Sequence, residues 1–270
     1  MPHDDVLWIA PGDDVALARA GLGSFDDFMQ HTPGRMLRAV ESRENWRLDL
    51  SHADGRPRGA FLKKHRVRGW LARMRRSDGR VEAENIRALE HDRIATMRLI
   101  AYGQRLGNDG QLESFVLTEE LAGFTQLDHY LRQRFVPRNP SDARRQHGEL
   151  RTLLARVAAL ARRFHDHGYN HRDFYCCHFF IRESSSGEFQ VHLIDLQRAQ
   201  RRRWLRGRWI VKDLAQLSYS APRERIGRSE RLAFIKQYLG VQRLGPRDKR
   251  LIRRVLAKHA RMERRLGPHP

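Results

Sequence analysis

Cysteine, lysine and long apolar runs are all scarce in this 270-residue chain. Its two cysteines, Cys176 and Cys177, are neighbours. A bond between adjacent cysteines is strained, so a disulfide framework is excluded. With His178 beside them they still match no common zinc spacing. No apolar stretch approaches the ~20 residues that a membrane-spanning helix needs. The opening Met1-Pro2-His3-Asp4-Asp5 is acidic. It lacks the basic stretch and apolar core of a secretion signal, so a cytoplasmic protein is expected. Hydrophobic residues make up 40% and charged residues 31%, with a mean hydropathy of -0.70, which is a soluble, folding composition.

Acidic residues are also in deficit. There are 32 of them against 52 basic ones, a net charge of +20, and only six of the basic residues are lysines. Two readings stand side by side: an arginine-rich genome, or an anionic partner such as nucleic acid, a phosphorylated glycan or an anionic membrane surface. Arginine bonds phosphate in a bidentate way, which suits all three partners. No zinc finger or RNA-stacking aromatic signature is present, so no specific nucleic acid is expected.

Residues 1–34 read as an irregular N-terminal extension punctuated by Pro11-Gly12 and Pro33-Gly34. From Arg35 the pattern predicts three antiparallel strands separated by two turns, the last ending in Phe61-Leu62-Lys63. Ile86, Leu89, Ile94 and Met97 predict a helix over residues 81–98, and Ser114-Phe115-Val116-Leu117 another strand. The polar stretch 134–148 reads as a surface connection. Leu153, Val157, Leu160 and Phe164 then fall at i, i+4, i+7 and i+11, the apolar face of a helix ending near Gly168. Asp173 and Asp195 follow at the ends of short β segments, with the hairpin-like Phe179–Leu193 between them. Two such carboxylates at one edge of a cleft suit phosphoryl transfer. One faces a hydroxyl nucleophile and the other a metal ion, because catalysis there is positioning plus charge neutralisation.

The residues around those two acids carry a resemblance. His171-Arg172-Asp173 resembles the catalytic loop of the protein-kinase-like fold, and Ile194-Asp195-Leu196 stands where that fold keeps its metal-binding motif. The longer block Gly168–Phe179 is similar to the lipopolysaccharide core heptose kinase family (WaaP/RfaP type). So are Phe61-Leu62-Lys63 with His65-Arg66, Ile194–Gln200, and Lys212-Asp213-Leu214, in the right order from about Gly34 to Ser220.

The resemblance implies an α+β, two-lobed kinase-like fold, with a β-rich N-lobe over 35–120 and a mostly helical C-lobe over 121–270. It implies ATP and Mg²⁺ as cofactors, with ATP between the lobes and Glu120 and Leu121 in the connecting hinge. Lys63 is then the phosphate-pairing lysine and Glu84 its ion-pair partner, with Glu82, two residues away on a different helix face, as the competing choice. Asp173 orients the acceptor hydroxyl and accepts its proton. Asp195 binds metal, Asp213 braces the catalytic loop, and His178 takes the place of the usual second metal ligand, an asparagine. Arg201, Arg202 and Arg203 stand at the mouth of the acceptor site. The implied reaction phosphorylates a heptose hydroxyl of the lipopolysaccharide inner core, with the acceptor glycolipid met at the anionic cytosolic face of the inner membrane.

Three rivals remain. One is a kinase for 3-deoxy-octulosonate, another glycan or a small alcohol. The others are a catalytically inactive kinase-like scaffold and a basic nucleic-acid binder.

Overall fold

The computed structural model describes residues 5–32, 34–40, 42–52, 54–68, 76–107, 109–137, 139–202 and 204–267. The chain divides into two compact units, residues 1–91 with 96–122, and residues 92–95 with 123–270. Among the described residues no helix is long and apolar enough to cross a membrane.

The first unit contains β1 (Val6–Ile9), α1 (Asp14–Arg19), α2 (Phe25–Gln30), β2 (Arg35–Val40), β3 (Arg43–Ser51), β4 (Pro57–Val67), α3 (Asp78–His91), β5 (Leu99–Leu106) and β6 (Leu112–Glu119). Its strands form one antiparallel sheet in the order β1-β5-β6-β4-β3-β2. The three strands expected from Arg35 onward are β2, β3 and β4.

Side chains alternate across a strand, and β4 shows the consequence. Ala60, Leu62 and Lys64 are buried on one face, while Phe61 and Lys63 lie on the other. The first face packs into a core with Leu17, Leu22, Phe28 and Met29, all from the segment before residue 34. α3 lies against β4, β5 and β6.

Residues 5–32 are therefore not an irregular extension. β1 pairs with β5 from Val6↔Gln104 to Ile9↔Ala101, and α1, α2 and the turn between them bury the apolar core residues just named. Both helices are too short for periodicity to reveal them. A local signal did exist: Ser24 Oγ accepts the Asp27 N–H while Asp27 Oδ2 accepts the Ser24 N–H at 2.7 Å, a reciprocal cap on α2. Two buried groups fix the preceding loop, since Asp13 meets Arg58 of β4 at 2.7 Å with side chains 7% and 2% exposed.

Two further expectations are corrected. The helix expected over 81–98 ends at His91, and Arg93 takes a left-handed φ of 55°. Ile94 and Met97 are buried all the same, in an extended segment. The polar stretch 134–148 is largely the start of a helix. Asn139 caps it by accepting the Asp142 N–H at 2.8 Å, and Pro140 sits in the first turn, where no backbone donor is needed.

The second unit contains β7 (Thr125–Gln126), α4 (Leu127–Arg134), α5 (Pro140–Asp166), β8 (Tyr169–Asn170), β9 (Phe179–Glu183), β10 (Phe189–Leu193), β11 (Gln200–Arg201), α6 (Arg206–Ser220), α7 (Arg228–Leu239) and α8 (Pro246–Leu266). The apolar stripe of α5 buries Leu153, Val157, Ala161 and Phe164. β9 and β10 form a hairpin with Phe179 opposite Leu193 and Glu183 opposite Phe189. α4 to α8 line an open apolar cavity of about 550 Å³, with Leu127, Leu131, Leu154, Val157, Leu217 and Ile252 among its walls.

Candidate active site

In the first unit, β4 sends two adjacent lysines to opposite faces. Lys64 is buried, donates to the carbonyl of His31 at the end of α2 at 2.6 Å, and lies 5.3 Å from the ring centre of Trp46. It is a structural cap on a helix C-terminus. Lys63 points the other way and meets Glu82 of α3, with Nζ 2.6 Å from Oε1.

The expected partner, Glu84, is not the one. It is bonded to Arg80, with Nε 2.8 Å from Oε1, and to Arg76. The reason is helix phase. Two residues along a helix turn the side chain by about 200°. Glu82, Ile86 and Leu89 fall at i, i+4 and i+7, the stripe buried toward the sheet. Glu82→Gln removes a fully buried partner and is expected to cost about 3–5 kcal/mol. Glu84→Gln breaks surface pairs only, worth about 0–1 kcal/mol. Urea denaturation of the two variants separates them, and equal losses would restore Glu84.

After β6, the Glu120 side chain reaches back across β4 to Arg47, with Oε2 2.8 Å from Nη2. Gly59 makes this possible, because a Cβ there would stand 1.8 Å from Glu120 Oε2. The Glu120 N–H donates to Gly59 and its carbonyl accepts from Ala122, each at 2.9 Å. Glu120 is thus held by its side chain and by both backbone groups, and the half-buried Leu121 follows it.

In the second unit, the loop from His171 to His178 is fixed from three sides. The first is α6. The Asp213 side chain, fully buried, accepts the N–H groups of His171 at 2.7 Å and Arg172 at 3.0 Å. Gln216 accepts from the Phe174 N–H at 3.2 Å and donates to the Arg172 carbonyl at 2.9 Å. Lys212 donates to the same carbonyl, and Ser220 accepts the Cys176 N–H at 2.8 Å. Burial pushes the Lys212 ammonium below the usual lysine range. Lys212, Gln216 and Ser220 sit four residues apart on one helix face.

The second side is the core. Phe174 is fully buried, with its ring 4.8 Å from that of Phe179, so the residue after Asp173 is anchored.

The third side is the strand end that carries Asp195. The Ile194 N–H donates to the His178 carbonyl, and its own carbonyl accepts from His171 Nε2, both at 2.9 Å. His171 therefore carries its proton on Nε2. Burial, with His178 nearby, holds its pKa below the ordinary histidine value. His178 Nδ1 donates to the Asp173 carbonyl at 2.6 Å, which leaves Nε2 3.5 Å from Asp195 Oδ2. Arg172 and Asp195 hold left-handed φ values of 73° and 62°. Such strain in non-glycine residues persists only where the surroundings enforce it.

Asp173 and Asp195 are thus locked into one frame. Arg198, three residues after Asp195, places Nη1 2.8 Å and 3.0 Å from the two Asp173 carboxylate oxygens. Of the arginines expected at the acceptor site, Arg201 donates to the His167 carbonyl at 3.0 Å, and Arg202 stacks 4.8 Å from the ring centre of Trp209. Arg203 lies outside the described residues. Glu82 stood in the sequence only as the rival of Glu84, Arg198 only as one of a basic run, and no motif singled out Gln216 or Ser220. The i, i+4, i+8 spacing from Lys212 was the available signal for the last two.

Residues 32–238 match the lipopolysaccharide kinase (Kdo/WaaP) family. The chain is 35% identical over 216 residues to the lipopolysaccharide core heptose(I) kinase WaaP of Pseudomonas aeruginosa, covering 76% of each. It is 32% identical over 219 residues to the protein of the same description from Escherichia coli K12, covering 77% of this chain and 78% of the relative. A solved structure described as WaaP in complex with acyl carrier protein superimposes with a TM-score of 0.70 at 30% identity, over 96% of this chain and 97% of that one. The two-lobed kinase-like α+β fold expected from the motifs holds. By the extent of these matches, the chain belongs to the lipopolysaccharide kinase (Kdo/WaaP) family.

Proposed function

We propose that this chain transfers the γ-phosphate of ATP to a heptose hydroxyl of the lipopolysaccharide inner core. The observation that carries the chemistry is the shared frame of Asp173 and Asp195, locked by His171, His178 and Ile194. As the acceptor oxygen bonds to the γ-phosphorus and the bond to the β-phosphate oxygen breaks, Asp173 takes the acceptor proton and ADP leaves. Arg198 holds the Asp173 carboxylate in place for that step. Lys63, fixed by Glu82, pairs with nucleotide phosphates, and Leu121 lines the base.

The donor set suits a hard divalent ion. Asp195 offers a carboxylate, and among the described residues no three His, Cys, Asp or Glu side chains converge as a preformed cage. Phosphate oxygens of the nucleotide would complete the sphere, which is how Mg²⁺ is usually held. When bound, Mg²⁺ supplies neutralisation of the phosphate charge. Imidazole nitrogen suits that ion poorly, so His178 is assigned to holding the Asp173 backbone through Nδ1 rather than to ligation. The enzyme works at the cytosolic face of the inner membrane, where its glycolipid acceptor is presented.

The test is a labelled-ATP assay against a panel of acceptors. Label is expected in heptose-bearing core glycolipid. Transfer only to 3-deoxy-octulosonate, or to no glycan, would overturn the reading.

The cavity among α4 to α8 supports a partner as well. Its apolar lining suits an acyl chain, and a carrier that presents one, an acyl carrier protein, is the partner proposed. Leu154→Arg, which places a charge in the lining, is expected to abolish co-purification of an acyl-loaded carrier. Retention of the loaded carrier by that variant would refute the pairing.

A further inference from the structure

One stretch of the chain joins the arginine surplus to bare apolar surface. From Leu196 to Lys212 there are six arginines, one lysine and no carboxylate. In its middle stand Trp204 and Leu205, 84% and 71% exposed, the most exposed large apolar side chains among the described residues. A single exposed leucine means nothing, but an adjacent Trp-Leu pair this bare needs a reason. The backbone sharpens the point. Leu205 holds a left-handed φ of 58° and ψ of 23°, a conformation that glycine or asparagine adopts with less strain.

The tip is not a loose end. Its two legs are bonded to one short run of backbone, residues 165–170. On the first leg, β11 pairs with β8, Gln200 opposite Asn170 and Arg201 opposite Tyr169, and the Arg202 N–H donates to the Gly168 carbonyl at 2.9 Å. On the second leg, Arg206 donates to the carbonyls of His165 and Asp166. β8 leads directly into His171-Arg172-Asp173, so the tip is tied to the catalytic loop by a strand pair.

We infer that the Trp204–Leu205 tip inserts into the headgroup region of an anionic membrane and so sets the catalytic loop against a lipid-anchored acceptor. Indole favours the depth where apolar chains meet polar headgroups. The exposed flanking Arg201, Arg206 and Arg208 pair with lipid phosphates through the guanidinium N–H groups that their other contacts leave over. α8 is the less suitable element despite its charge, because Val255 and Met262 on its apolar side are already buried. The acceptor half of the inference rests on the proposed function; the membrane half does not.

The experiment therefore reads binding and activity separately, on the full chain. Flotation with vesicles of phosphatidylglycerol in phosphatidylcholine is expected to recover the protein. Pure phosphatidylcholine should not, and recovery should fall as salt rises. Trp204→Ser with Leu205→Ser is expected to cut partitioning at least tenfold. The double variant should keep wild-type thermal stability and wild-type turnover on a detergent-solubilised acceptor, and lose turnover on the same acceptor in vesicles. Trp204→Phe is expected to keep binding while abolishing the blue shift of tryptophan emission on vesicle addition.

Unchanged partitioning of the double variant would overturn the inference, as would no wild-type binding to anionic vesicles. Loss of binding to an acidic carrier protein, with vesicle binding intact, would reassign the tip to protein docking and equally overturn it. Intact vesicle binding with no glycolipid phosphorylation by any form would instead strike the proposed function and leave the membrane contact standing.

Discussion

Asp173→Asn is expected to reduce phosphoryl transfer by about 10²–10⁴, the usual contribution of a positioned base. The substitution keeps size and shape but removes the carboxylate proposed to take the acceptor proton. It should leave the fold intact, because the loop backbone is held by Asp213, Gln216 and Ser220 rather than by this side chain. The loss should therefore appear in kcat, with KM for ATP little changed. Arg198→Ala isolates the other half of the pair. It removes the guanidinium that sits 2.8 Å from Asp173 and should lower kcat less than the loss of Asp173 itself. Steady-state kinetics of both variants decide the matter, and near-normal turnover in Asp173→Asn would remove Asp173 from the chemistry.

Asp213→Ala is expected to give the largest loss of stability. The carboxylate accepts two backbone N–H groups at a fully buried position, and His165 Nε2 lies 3.4 Å away. Each stranded N–H costs about 1–3 kcal/mol, so about 2–6 kcal/mol is at stake. That is a large fraction of an ordinary domain's stability. Asp213→Asn keeps one acceptor oxygen and should lose roughly half as much. Chemical denaturation measures both. Activity of the alanine variant should fall even at low temperature, because the backbone just before Asp173 would relax from its left-handed turn. A fully stable, fully active Asp213→Ala would show that the loop is held elsewhere.

What could be read in the sequence was whatever repeats with a short period or sits in a compact motif. β3 alternates visibly at Trp46, Leu48 and Leu50, the apolar stripe of α5 from Leu153 to Phe164 repeats at helical spacing, and His171-Arg172-Asp173 is contiguous. What escaped depends on partners far away in sequence. β1 is four residues long and earns its place only through β5, almost a hundred positions later. Glu82 and Glu84 are chemically alike, and only the phase of α3 against the sheet separates them. That phase was present in Ile86 and Leu89, but it had to be referred back to the acids. Arg198 looked like one more arginine in a basic run. Its contact with Asp173 follows from the left-handed turn at Asp195, which no residue pattern announces.

The four residues 92–95 belong to the second unit although first-unit sequence flanks them on both sides. They are not idle there: Asp92 accepts from the Tyr169 hydroxyl at 2.9 Å, and the Ala95 carbonyl accepts from Leu193 at 3.0 Å, two residues before Asp195. The polypeptide therefore crosses the border between units three times. No single cut separates the units, and a fragment beginning at residue 123 would lack the support of the strand that carries Asp195. A chimera that borrowed the second unit from a relative would have to exchange two stretches together. For the same reason, an insertion between Asp92 and Ala95 would strike the chemistry, though it would fall in what looks like an ordinary helix-to-strand connection.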